Sequence, residues 1–136
     1  MRADPLLAAI DHAGIRIRDK PRSAQFYAKL GFEIALDDVP ARCLELGNAA
    51  GVRLHLIWNA APDAPAFNAL MDDPVKRTGI THVAFTVGDL DALVRLLARE
   101  SIRITEGPKQ DHRRRYLFCR DPDGTVLEFS ELSGPD

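Results

Sequence analysis

Cysteine is scarce: Cys43 and Cys119 are the only two, far apart and with no CxxC spacing. That excludes a disulfide scaffold and a thiolate zinc site, and leaves the expectation of two buried, reduced thiols in a cytoplasmic protein. Long apolar runs are missing too, and none approaches the ~20 residues a membrane helix needs. The opening M-R-A-D-P-L-L-A-A-I-D has too short an apolar run and too early an acid for a secretory signal, so export is not expected. Nor does one sign of charge dominate. A net charge of -2 gives no reason to expect nucleic acid or an anionic membrane as partner. What remains is an ordinary globular composition, 46% hydrophobic and 28% charged, which suits a buried core. At 136 residues the chain fits one domain built of two small halves.

Two stretches are built alike. In Ile80–Asp89, Val83, Phe85 and Val87 alternate with His82, Ala84 and Thr86, the period of a half-buried strand. Gly88-Asp89 stops it and offers a helix N-cap. Seventy positions earlier, Ile10–Asp19 has the same design, with His12, Gly14 and Arg16 opposite Ala13, Ile15 and Ile17. Each stretch leads into a helical pattern. The first helix starts at Asp19 and ends at Gly31, a C′ residue; the second runs over Leu90–Glu100. Strands are expected at Ala9–Ile17, Phe32–Leu36, Arg42–Leu46 and Val52–Trp58, then at Ile80–Val87, Ile102–Glu106, Arg115–Arg120 and Val126–Glu131. Gly107-Pro108 should break the sixth of these, and Asp121–Gly124 should form a tight turn. Between the halves, residues 59–79 hold several prolines and read as a long connection with one short helix near Ala66–Met71. A loop of that length is usually functional or a linker. The tail, 133–136, is expected to fray.

The echo extends further. An offset of 70 pairs His12 with His82 and Asp19 with Asp89, and an offset of 73 lays Gly51–Leu56 over Gly124–Phe129. Each half is therefore strand–helix–strand–strand–strand, and position 55 corresponds to 128. Self-similarity of this kind outweighs any propensity count. Side-chain parity then selects residues. Leu54 and Leu56 must pack under a helix, which sends His55 to the other face; Leu127 and Phe129 do the same for Glu128. Three of the four histidines and one glutamate thus share one side of four strands: His12, His55, His82 and Glu128. His112, the fourth, falls in a loop. Three imidazoles and a carboxylate suit a divalent transition metal with positions left for water or substrate. Taken singly, each histidine reads as a polar residue on a wet face, and Glu128 as an ion-pair partner of Arg16 or Arg53.

The pieces H-A-G-I-R-I-R-D, F-Y-A-K-L-G-F-E, T-H-V-A-F-T-V-G-D-L-D and R-D-P-D-G-T-V-L-E-F resemble the vicinal oxygen chelate superfamily, the glyoxalase/bleomycin-resistance/dioxygenase proteins. The resemblance covers about Ile10 to Leu132. It implies an α+β fold of two tandem βαβββ modules, about 9–58 and 80–132 with a connection over 59–79, forming a cupped mixed sheet around a metal in one domain. The family's ligand positions fall on His12, His55, His82 and Glu128. Lactoylglutathione lyase (glyoxalase I) looks most similar: Arg16 and Asn59 match residues that hold the glutathione carboxylate, each four residues beyond a ligand and so ~13 Å further along the same face. One departure stands out. The second ligand of that enzyme is a glutamate, and this chain has His55, which removes one negative charge and one possible base. The segment P-K-Q-D-H-R-R-R also replaces a glycine-rich approach to the seventh strand.

The chemistry implied is metal-assisted proton transfer beside a carbonyl, through an enediolate, with Glu128 as base and a hemithioacetal of methylglyoxal and glutathione as the model substrate. The metal, one of Ni, Zn, Co, Fe or Mn, is not chosen by the ligand set. Lys109 and Arg113–Arg115 form either an anion-binding flap over a small-molecule substrate or a solvated basic loop. Three other readings follow from the resemblance: an extradiol dioxygenase with a His/His/Glu triad and an apolar pocket drawing on Trp58 and Phe67; an acyl-CoA epimerase, which would need a second base; and a metal-free antibiotic-binding module. The resemblance also implies a homodimer, with His12 and His55 of one chain facing His82 and Glu128 of the other.

Overall fold

Two compact units, Met1–Pro62 and Asp63–Asp136, carry the two copies of the expected plan in a computed structural model that describes residues 4–132. The boundary falls inside the expected connection, so most of it belongs with the second unit. The expected frayed tail lies outside the described residues.

In the first unit, β1 (Ala13–Arg16), α1 (Lys20–Lys29), β2 (Glu33–Asp38), β3 (Cys43–Gly47) and β4 (Arg53–Ile57) form a mixed sheet of order β1-β4-β3-β2. Asp19 caps α1 by accepting from the Arg22 N–H at 3.0 Å, with Pro21 in the first turn where its missing N–H costs nothing. Gly31 follows the C-cap at φ +96°, as a C′ residue should. The helix buries Tyr27 and Ser23, and Tyr27 meets Phe32 edge-on. Ile15, Ile17, Leu44, Leu46, Leu54 and Leu56 complete this core. Burying five or six such side chains stabilises the unit by roughly 1.5–3 kcal/mol each before entropy is counted.

The second unit repeats this with β5 (Val83–Thr86), α2 (Leu90–Arg99), β6 (Ile104–Gln110), β7 (Arg114–Arg120) and β8 (Val126–Leu132), in the order β5-β8-β7-β6. Asp89 caps α2 through the Ala92 N–H at 3.0 Å, and Glu131 on β8 takes the Leu90 N–H at 2.7 Å. Both caps place negative charge at the positive end of the helix dipole. Leu90, Leu97, Leu117, Leu127 and Phe129 are buried. The repeat extends to irregularities: the β2 ladder shifts register between Ile34 and Leu36, and the β6 ladder between Ile104 and Glu106.

Three expectations need correction. Gly107-Pro108 does not end the sixth strand, which runs on to Gln110. β6 is an edge strand, where a proline forfeits no ladder bond, and a second register shift between Glu106 and Lys109 absorbs the distortion. No helix forms at Ala66–Met71. The Asn68 side chain takes the Leu70 and Met71 N–H groups at 3.1 Å each, competing with the helical pattern, and Asp72 closes the turn from the other end. Cys43 is only half-buried, whereas Cys119 is buried as expected.

The turn at 68–72 is tied to the β7–β8 hairpin. Arg120 donates both terminal nitrogens to Asp72 at 2.8 and 2.7 Å, and Asn68 Nδ2 donates to the Gly124 carbonyl at 3.1 Å. Gly124 has φ +89°, and any Cβ there would lie 2.7 Å from the Ala66 carbonyl oxygen, so glycine is required twice over. The Arg120 fork and the Asn68 N–H hold the Asp72 carboxyl down to about 2 from 3.8. A lowered folded-state value means the tie stabilises the fold fully above pH 3.8 and is lost as pH falls towards 2. Asp72→Asn should therefore loosen residues 63–79 at neutral pH, read as faster amide exchange confined to that segment. In the parent protein the same loosening should appear only on acidification through that window.

Candidate metal and proton-transfer site

β4 runs parallel to β1 with Gly14 opposite His55, and β8 runs parallel to β5 with Ala84 opposite Glu128. These are the same register, since 14 and 84 differ by 70 and 55 and 128 by 73. In each unit a histidine stands one residue before the first strand, His12 or His82, and the second ligand candidate stands mid-way along its parallel neighbour. Sheet geometry thus delivers two pairs.

In the first unit, the His12 and His55 rings stack, with centroids 3.6 Å apart and planes 12° from parallel. His12 Nδ1 lies 2.8 Å from Asp11 Oδ2, and that contact holds the Asp11 carboxyl below its usual range. Among the described residues, His55 Nε2 is buried without a hydrogen bond; Glu45 Oε1 stands 3.5 Å from it and makes none. Asp11, His12 and His55 form a group whose ligand atoms lie within 4.8 Å of one another. Two imidazoles and a carboxylate gathered this closely are a donor set that suits a divalent cation. The residues present fit a metal ion.

In the second unit, His82 Nε2 lies 3.0 Å from Glu128 Oε1, while Thr81 Oγ1 engages His82 Nδ1 at 2.8 Å. Glu128 is 4% exposed, which removes it from any wet sheet face. Its other oxygen accepts from the Ser130 hydroxyl at 2.5 Å. Ser130 therefore fixes the carboxylate so that Oε1 is the oxygen presented to His82. Phe118, opposite Glu128 in register, meets the His82 ring edge-on, and Tyr116 meets Phe118 in turn.

The remaining candidates divide. Arg16 Nε donates to Asn59 Oδ1 at 2.9 Å, so these two are brought together as an arginine held by an amide. Lys109 is instead paired with Glu106 at 2.7 Å, both half exposed. The basic stretch lies in a hairpin turn: Asp111 accepts the Arg113 and Arg114 N–H groups at 2.8 and 3.0 Å and makes a tight β6–β7 hairpin, with His112 exposed at its tip. Arg53 pairs with Glu45 at 3.2 Å, and the arginine beside Glu128 is Arg114, whose Nη1 lies 3.6 Å from Oε2 while its guanidinium covers Tyr116. Phe67 is 51% exposed, and the buried Trp58 Nε1 has no acceptor while Lys20 lies over the ring. Burial pushes the Cys119 thiol up to about 12, which makes it a poor nucleophile or ligand. Sequence reasoning passed over Asp11 and Glu45, and placed Arg114 in a basic loop, not beside Glu128; the shared face with His55 was the available signal for Glu45.

Residues 9–129 match the model of the Glyoxalase/Bleomycin resistance protein/Dioxygenase superfamily. The chain belongs to that superfamily. A relative from Bacillus subtilis (strain 168), the uncharacterized protein YwkD, is 34% identical over 134 residues, covering 93% of this chain and 98% of the relative. Among solved structures, a glyoxalase family protein from Enterococcus faecalis is 25% identical with a TM-score of 0.73, over 90% of this chain and 97% of that one. SMU.1112c is 28% identical with a TM-score of 0.72, over 90% and 98%. These likenesses bear out the superfamily and the paired-module fold; the particular reaction is a separate question.

The Ser130 contact yields a direct test. A hydrogen bond to a buried charged group is worth about 1.5–3 kcal/mol, so Ser130→Ala should lower unfolding free energy by that amount in denaturant titrations. Ser130→Thr, which keeps the hydroxyl, should recover most of the loss.

Proposed function

We propose that the chain is a metal-dependent lyase of glyoxalase I type, acting on a small oxygen-chelating substrate such as a glutathione hemithioacetal. The observation that supports this reading is the shared register, Gly14 against His55 and Ala84 against Glu128, which puts His55 and Glu128 at equivalent positions of the two units. His12, His55, His82 and Glu128 are the ligands in this proposal. A divalent ion bound by them, one of Ni, Zn, Co, Fe or Mn, would supply Lewis acidity to the vicinal oxygens of the substrate.

Glu128 is the proton-transfer base. It takes the proton from the carbon bearing sulfur and returns it to the neighbouring carbon, while the hydroxyl proton passes to the neighbouring oxygen, converting hemithioacetal to thioester with no net change in composition. Its burial supports this role, because a carboxylate shielded from water holds a proton for local return instead of losing it to solvent. Ser130 keeps Oε2 occupied, so Oε1 is the oxygen left to serve in turn as ligand and as base. Arg16, oriented by Asn59, anchors the glutathione carboxylate, and Lys109, released from Glu106, would add a second anchor. A homodimer in the cytoplasm, with sites at or near the subunit interface, completes the proposal; the exposed Leu6, Leu7 and Ile10 support a further apolar interface.

A second reading has one observation in its favour. The His82–Phe118–Tyr116 row lines the Glu128 face with aromatic rings, which suits a flat catechol and an extradiol cleavage on Fe(II).

Metal analysis followed by assay of the metal-loaded protein with methylglyoxal and glutathione tests the proposal. A stoichiometric ion and S-lactoylglutathione formation are expected. Glu128→Gln should lower turnover by about 10²–10⁴-fold, the usual contribution of a general base. No thioester alongside oxygen uptake with catechols would overturn the lyase reading in favour of the second. Full metal content in His82→Ala would overturn the ligand set.

A further inference from the structure

The departure at position 55 points beyond this reading. Where the second ligand of glyoxalase I is a carboxylate, this chain has an imidazole, yet a carboxylate stands beside it on the next strand. Glu45 is the direct register partner of His55 across β3–β4, so both side chains share one face. Its Oε1 lies 3.5 Å from His55 Nε2, a buried nitrogen with no hydrogen bond of its own. The repeat makes the placement informative. Under the offset of 73, Glu45 corresponds to Phe118, which partners Glu128 in the same way. One unit has acid on the last strand and an apolar neighbour; the other has imidazole on the last strand and an acid neighbour.

We propose that Glu45 is the positioning residue of His55, accepting its Nε2–H so that Nδ1 faces the metal and returning to the site the negative charge lost at position 55. The proposal rests on His55 being a ligand. A ligating histidine ordinarily gives its other ring N–H to a carboxylate, which fixes the tautomer and raises ligand basicity. His12 already has such a partner in Asp11, and the residue equivalent to Asp11, Thr81, does the same for His82 with a hydroxyl. The pattern is consistent with charge balance. The pair lacking an acid, His12 and His55, has a carboxylate behind each ring, while the pair containing Glu128 has only Thr81. Arg53 shares Glu45 Oε1 at 3.2 Å from outside, holding the acid in place without covering the histidine.

Competitive titration of purified protein with Co(II) against a chromophoric chelator, with the visible spectrum of the bound ion recorded, tests this. Glu45→Gln should weaken Co(II) binding by about 10–100-fold and change the spectrum, and Glu45→Asp should restore part of both. Arg53→Ala should leave both as in the parent, and equal unfolding midpoints would show that each variant is folded. Parent affinity and spectrum in Glu45→Gln would overturn the role of Glu45 while leaving the metal site standing. An effect of equal size in Arg53→Ala would also overturn it, by assigning the loss to the surface ion pair. A parent protein that takes up no Co(II) would overturn both the site and this inference.

Discussion

Parallel pairing of the first and last strand in each unit is the constraint on which everything else depends. Parallel strands cannot be joined by a tight turn; they need a crossover, and a helix with two further strands supplies it in each unit, α1 in the first and α2 in the second. That crossover fixes which residue of β4 lies opposite which residue of β1. Because side chains alternate with period two, a slip of one residue in β4 would turn His55 to the helix side and expose Leu54 and Leu56. Both leucines are all but fully buried, so the slip would forfeit several kcal/mol of apolar burial. The core therefore enforces the register, and the register places the chemistry.

Buried leucines flanking a polar residue are also why the facing of the candidate residues could be read from sequence at all. At Leu54-His55-Leu56 and Leu127-Glu128-Phe129 the apolar neighbours declare the face and the polar residue takes the other. The offsets of 70 and 73 then link residues that no local pattern could connect. The helix caps at Asp19 and Asp89 were legible for the same reason: short-range hydrogen bonding of one side chain to nearby backbone. One detail went the other way. Gly31 ends α1 at φ +96°, but its counterpart Ser101 holds φ +56°, so an unfavourable conformation for serine is imposed by the repeat.

What stayed hidden is long-range or competitive. The turn at Asn68–Asp72 depends on Arg120 and Gly124, about fifty residues away, and propensity alone favoured a helix there. β6 continues past Pro108 only because its outer edge has no partner strand to lose. Lys109 is held by Glu106, three residues back on an irregular strand, where spacing does not predict contact. Asp11 and Glu45 were overlooked because a carboxylate on a strand reads as solvent-facing unless its cross-strand partner is known.

The two units present their candidate ligands with different distributions of charge. In the second, the acid is itself a ligand candidate, buried and held by Ser130, with an apolar ring at its side. In the first, both candidates are imidazoles and the acids stand behind them. A direct carboxylate gives the ion a full negative charge but must be desolvated to do so; an acid behind an imidazole stays partly solvated, as Glu45 and Asp11 are, and acts through the ring's basicity. A duplicated module can therefore exchange a ligating glutamate for histidine without losing net charge near the metal, provided that an acid appears one strand away on the same face. On the proposed ligand set, the replacement at position 55 would alter which atom meets the ion more than how much charge it feels.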